Sequence, residues 1–256
     1  MKESIKFSEE ALQKEAMKKE RKRLIHCYCN MNSNQNVEGL QTLQKELEAF
    51  LANEYDREVQ NTLHTVRALI HFNLTDDIDA SYELLRPMLV DLDYGLAVKL
   101  DSANPFIKSD WDNFYHAIML IDSIMICKEF AKATMMIKHL ETELKIYTDK
   151  RDFDSLMQGL HSGAVMSMLY SKYFEENLSV EEKQLLDAEF KRHSKIALKL
   201  CTDNNWKIAY ILNVIRDGIF NRNAEIVTSN MKQLKELGKD SIYRAMELEI
   251  KKYNLI

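Results

Sequence analysis

Apolar residues recur along this chain at steps of three and four, the period of a helix with one buried face. Val37, Leu40, Leu43, Leu47 and Phe50 form one such stripe, and Val59, Leu63, Val66 and Ile70 form the next after a short link near Asn53 to Asp56. Two helices joined so tightly are expected to lie antiparallel. A third stripe, Ile78, Tyr82, Leu85, Leu89 and Leu92, starts behind Thr75 with Asp76 and Asp77 in its first turn. Pro87 interrupts it, and an interior proline costs a helix roughly 3 kcal/mol, so a kink or break is expected near Leu85.

The stretch KLDSANPFIKSD is the clearest long loop, and Ser109 with Asp112 resembles a capping box that restarts the helix. Trp111, Phe114, Ile118, Ile121 and Met125 then lead into Phe130, Ala133, Ile137, Leu140, Leu144 and Tyr147. Phe153, Leu156, Leu160, Met166, Leu169 and Tyr173 follow, and Ser179 with Glu182 forms the best capping box, opening a helix through Leu186, Phe190, Ala197 and Leu200. The last third reads as Ile208 to Ile219, then Val227 to Leu237 closed by Gly238 as the residue after the cap, then Ile242 to Tyr253. At the other end, Ser8 is read as an N-cap, with Glu9 and Glu10 in the first turn and a basic run from Lys18 to Arg23, while MNSNQN is a polar loop.

The count comes to about ten to eleven helices, pairing at a period of about 35 to 45 residues. The fold expected is all-α, a single tetratricopeptide-like helical-repeat superhelix over residues 1–256, with 1–31 as a linker helix. No tetratricopeptide consensus recurs at that period, so the repeat is one of architecture. Such arrays curve and present a concave binding face.

Composition sharpens this picture. Six Gly and two Pro among 256 residues leave too little punctuation for a β-rich fold. Thirty-five basic against 40 acidic residues give a net charge of −5, without the basic footprint of a nucleic-acid binder. No apolar run reaches membrane-spanning length and MKESIKFSEE lacks a secretory apolar core, so a cytoplasmic protein without membrane contact is expected. Cys27, Cys29, Cys127 and Cys201 are too few and scattered for a disulfide framework, and read as reduced thiols.

The chain carries no Gly-rich phosphate loop, HExxH, Gly-x-Ser-x-Gly or CxxC, so no catalytic residue, metal or cofactor is expected and the chain does not read as an enzyme. His26, Cys27 and Cys29 point to different sides of a helix, the acidic cluster Asp76, Asp77 and Asp79 is explained by a helix start, and His64, His71 and His193 read as lone core or boundary residues. Methionines concentrate at Met119, Met125, Met135, Met136, Met157, Met166 and Met168, where core filling weighs slightly more than an adaptable binding surface. Polar residues beside the apolar stripes are candidates for a peptide groove, because an extended peptide exposes backbone groups that amide and guanidinium side chains satisfy. They are Arg67, Asn73, Tyr115, His116, Gln158, His161, Asn213 and Arg216.

The helix NVEGLQTLQKELEAF, the pair WDNFYHAIMLIDSIMICKEFAKATMMIKHLETELKIY and the closing MKQLKELGKDSIYRAMELEIKKY carry a resemblance. From about residue 20 onward the chain resembles the C-terminal regulatory domain of Rgg/GadR/MutR-type transcriptional regulators. The resemblance implies a homodimeric helical-repeat receptor that binds a short, often hydrophobic signalling peptide, as in quorum sensing. DNA would be reached only through a helix-turn-helix domain, and none precedes the first repeat in this chain. The rival expectation is a helical-repeat scaffold for protein–protein interaction with no peptide ligand.

Overall fold

A computed structural model describes residues 2–33, 36–53, 57–86, 121–144 and 150–254. Among the described residues every regular element is a helix, and none is long and apolar enough to cross a membrane. The chain divides into two compact units, Met1–Ile126 and Cys127–Ile256.

In the first unit, α1 (Lys2–Ser33), α2 (Val37–Leu51) and α3 (Arg57–Thr75) pack mutually. The expected stripes supply the contacts of α2 and α3, where Leu40, Leu43, Leu47, Leu63, Val66 and Ile70 are buried, and Leu24 and Tyr28 of α1 join them. Two helix starts differ from the sequence reading. Helix α1 begins at Lys2, so Ser8 lies inside it and is not its cap. Thr75 ends α3 instead of opening the next helix; Asp76 turns the chain at φ 53, and Asp77 Oδ1 accepts from the Ala80 N–H at 3.0 Å to cap α4, residues 78–86. An aspartate tolerates the left-handed region better than most residues, which is how one acidic pair serves as both turn and cap. Helical residues 121–126 (α5) complete what is described of this unit. Pro87, the KLDSANPFIKSD loop, the Ser109 capping box, Met119, Tyr115 and His116 lie outside the described residues.

The second unit comprises α6 (Phe130–Glu143), α7 (Lys150–Phe174), α8 (Val180–Asp203), α9 (Lys207–Phe220), α10 (Ala224–Glu236) and α11 (Asp240–Lys252). Each packs on its successor, and α7 also reaches α9. The capping box at Ser179 is complete: its hydroxyl accepts from the Glu182 N–H, and the Glu182 carboxylate accepts from the Ser179 N–H at 2.8 Å. No side chain of its own caps α6; Glu175, at the far end of α7, accepts from the Phe130 N–H instead. Phe190 and Phe220 stack at 3.5 Å between α8 and α9, and Gly238 takes φ +65 after α10, as its position predicts. Cys29, Cys127 and Cys201 are buried, Cys27 is half-buried, and all four are free thiols.

Candidate functional site

The buried faces of α7, α8 and α9 are mainly apolar, and one seam of polar side chains runs across all three. Leu160, Val165 and Leu169 of α7, Phe190 and Ala197 of α8, and Ile215 and Ile219 of α9 fill the surroundings. Into these three helices the chain also sets His161, Ser162, His193, Ser194 and Asn213. Burying such groups is favourable only when they are hydrogen-bonded, so their partners can be traced one by one.

One half of the seam is an amide and hydroxyl network. Gln158 Nε2 donates to Ser162 Oγ at 2.7 Å, and Ser162 Oγ donates to Asn213 Oδ1 at 3.1 Å. Asn213 Nδ2 donates back to Ser162 Oγ and to the Ala209 carbonyl, at 3.0 and 2.9 Å. Cys201 adjoins the same two amides; burial raises its thiol pKa, and contacts to Gln158 and Asn213 oppose the rise.

The other half is a pair of imidazoles. His161 and His193, both fully buried, approach to 2.6 Å between their Nδ1 atoms. Arg192 Nη2 lies 2.9 Å from His193 Nε2, and a guanidinium can only donate, so His193 Nε2 accepts. The proton of His193 therefore sits on Nδ1 and is donated to His161 Nδ1, which leaves the His161 proton on Nε2. That atom is buried with no hydrogen-bond partner among the described residues. It faces Glu141 Oε1 at 3.9 Å, beyond hydrogen-bond reach. Arg192 closes the circuit, donating to Glu141 Oε1 at 2.8 Å and to Glu189 Oε2 at 2.9 Å.

Charge follows from this layout. Burial lowers both histidine pKa values well below the usual imidazole range, and the neighbouring Arg192 charge lowers them further; both rings are neutral at pH 7. Partial burial works against the Arg192 charge, yet hydrogen bonds to Glu141 and Glu189 raise its pKa on balance. Glu141, His161 and His193 each offer a ligand atom within 4.8 Å of the others.

Of the candidates chosen from sequence, the structure brings Gln158 and Asn213 together through Ser162, and places His161 one residue away, turned toward α8. Arg216 instead joins Glu249 of α11, through Nε to Oε1 at 2.9 Å and Nη2 to Oε2 at 3.0 Å. Arg67 is half-buried in the first unit; burial lowers its guanidinium pKa and the Glu48 charge partly restores it. Asn73, exposed, donates to Tyr28 Oη at 3.4 Å. Tyr28 in turn donates to Asp122 Oδ2 at 3.3 Å, and burial raises the Asp122 carboxyl to about 7.

His193 is a buried, hydrogen-bonded core histidine as expected, but its partner His161 lies 32 positions away on another helix, a spacing that no short motif encodes. Sequence reasoning also passed over Glu141, Arg192 and Glu189. One signal was available, since Glu189 stands three and four residues before Arg192 and His193, the spacing at which helix side chains meet.

A shallow cavity of about 540 Å³ adjoins the seam, lined by Cys201 and Asn205 at the end of α8, Tyr210 and Ile211 of α9, and Gln233 and Leu237 at the end of α10. Tyr210 and Leu237 stand exposed at 41 % and 44 %. Compared with protein-family models, with curated proteins and with solved structures, the chain matches none.

Proposed function

We propose that the chain is the regulatory part of a transcription regulator in the cytoplasm, a tetratricopeptide-like superhelix that dimerises and binds a short hydrophobic peptide. DNA recognition is assigned to a helix-turn-helix domain of the parent protein. Packing of each helix of the second unit on its successor, and of α7 on α9, supports the repeat architecture.

The cavity between α8, α9 and α10 is the observation that carries the binding reading. Its volume falls in the range of roughly 300–1,000 Å³ typical of ligand sites. Exposed Tyr210 and Leu237 offer apolar surface, and Asn205 and Gln233 offer both donors and acceptors to an extended backbone. Cys201 belongs both to this cavity and to the Gln158–Asn213 network, so an occupant would bear on the seam from outside. A peptide that favours one arrangement of the dimer shifts its population, which is the regulatory step.

Native mass spectrometry of the chain mixed with a library of short hydrophobic peptides tests this. The expected result is a dimer retaining a peptide, with retention reduced about tenfold by the double change Tyr210→Ala and Gln233→Ala. A monomer that retains no peptide overturns the reading.

A further inference from the structure

The His161–His193 pair has a feature that hydrogen bonding within the protein leaves unresolved. His161 Nε2 is fully enclosed, has no partner among the described residues, and points at a carboxylate oxygen 3.9 Å away. A gap of that size is too long for an N–H···O bond. A zinc-class ion bound to an imidazole nitrogen at about 2.0–2.1 Å and a carboxylate oxygen at about 2.0–2.2 Å holds those atoms about 3.4 Å apart at a tetrahedral angle, so the Glu141 carboxylate closes by about 0.5 Å to share one. His193 brings a second neutral imidazole to the same place, and neutral imidazole is the form that ligates metals.

The geometry points to a buried site for a divalent transition-metal ion of the zinc class, formed by Glu141 of α6, His161 of α7 and His193 of α8. Two imidazoles and one carboxylate are a donor set that suits zinc and its neighbours, and not calcium or magnesium, which take oxygen. Glu189, whose Oε2 lies 3.4 Å from His193 Nε2, stands ready as a further ligand or as the carboxylate that orients His193.

Arg192 defines the competition at this site. Its guanidinium bonds Glu141, Glu189 and His193 Nε2 together, so it occupies the position a cation would take. Its side chain is 38 % exposed, whereas both histidines are enclosed, so Arg192 can swing toward water while the rings stay in place. Metal entry therefore exchanges one cation for another on the same carboxylates. Metal entry also requires both rings to change tautomer: the His161 proton moves from Nε2 to Nδ1 and the His193 proton from Nδ1 to Nε2, facing Glu189 once Arg192 has left. The Nδ1–Nδ1 hydrogen bond then opens, and His161 Nε2 and His193 Nδ1 present their lone pairs with no net loss of protons.

The test is titration of the metal-stripped full chain with cobalt(II), followed by visible absorption and zinc displacement. One equivalent of cobalt should give ligand-field bands without the sulfur-to-metal charge transfer that a thiolate site would show. Replacing both rings by His161→Gln and His193→Gln should weaken binding by about 100-fold or more, the scale of effects at metal shells. Arg192→Gln should tighten it, by about tenfold, because it removes the competing cation without removing a ligand. If the double histidine variant fails to fold, Arg192→Gln and Glu141→Gln decide the matter, since the proposal requires the first to tighten and the second to weaken binding. No stoichiometric cobalt uptake, thiolate charge transfer, or an affinity indifferent to Arg192→Gln and Glu141→Gln each overturns the site.

Discussion

Arg216 and Glu249 face each other across α9 and α11 with both side chains nearly enclosed, 11 % and 16 % exposed, and two hydrogen bonds between them. Burial opposes the Arg216 charge, but Glu249 more than compensates and raises its pKa. Truncating the arginine leaves a carboxylate without its counter-charge in a dry contact. Arg216→Ala is expected to lower stability by about 3 kcal/mol, and Arg216→Met with Glu249→Leu to recover most of it. Urea denaturation of the two single variants and the double variant measures both; additive losses would show that the pair is not coupled.

Gly218 is a place where helix propensity and packing disagree. Alanine is favoured over glycine inside a helix by about 1 kcal/mol. Here a Cβ would come within 2.9 Å of Val227 Cγ2 and 3.1 Å of Ile226 Cγ2, both on α10. Packing wins, and Gly218→Ala is expected to destabilise by roughly 1–3 kcal/mol. Thermal unfolding checks the sign, and a stabilised variant would mean that α10 can yield.

The buried imidazoles give the second unit a dependence on acid. Both rings have folded pKa values below the ordinary 6.5, chiefly through burial, so the unfolded chain takes up protons first. Their contribution is intact above pH 6.5 and is lost as pH falls through and below it, by up to about 1.4 kcal/mol per pH unit for each ring. Denaturation in chelator between about pH 7.5 and 5 should show this loss, and His161→Gln with His193→Gln should flatten it. An equal slope in that variant would place the acid sensitivity elsewhere.

Asp122 works in the opposite direction within the first unit. Burial holds its carboxyl at about 7 against an ordinary 3.8, so the folded chain binds this proton more tightly than the unfolded one. Stability is greatest below pH 3.8 on this account and declines as pH rises toward 7, by up to about 1.4 kcal/mol per unit. Asp122→Asn should remove the decline and leave amide protection around Tyr28 higher than in the wild type at alkaline pH. Hydrogen exchange across that range reads the effect.

How much of this the sequence discloses depends on distance along the chain. The stripe Leu40, Leu43, Leu47, the capping box of Ser179 and Glu182 and the left-handed Gly238 are local patterns, and each stands where its spacing puts it. The N-cap assigned to Ser8 failed because a serine cap is only one option for a helix whose preceding residues, Lys2 to Phe7, also form helix. At the candidate site, Gln158 and His161 were visible as polar breaks in an apolar stripe. That His161 meets His193, 32 residues on, and that Gln158 reaches Asn213 through Ser162, 51 residues before it, was not, because such separations are set by how α7, α8 and α9 pack. Glu249 as the partner of Arg216 is hidden for the same reason, 33 residues away.

Glycine is scarce in this chain, and among the described residues most of the left-handed positions at helix ends are held by other residues. Asp76, Asn205, Arg222 and Asn254 all take φ between 50 and 56, beside Gly238 at 65. Each non-glycine residue there carries some local strain in the folded chain, about 1 kcal/mol or less for Asn and Asp and more for Arg222. The same residue also restricts the unfolded chain, which glycine would leave with more conformations to lose. The two effects oppose one another, so glycine at Asn205 or Asn254 would change stability little, while Arg222→Gly would relieve the largest strain of the four. A chain that turns its corners this way keeps part of its stability in the stiffness of its denatured state, where no contact in the folded molecule records it.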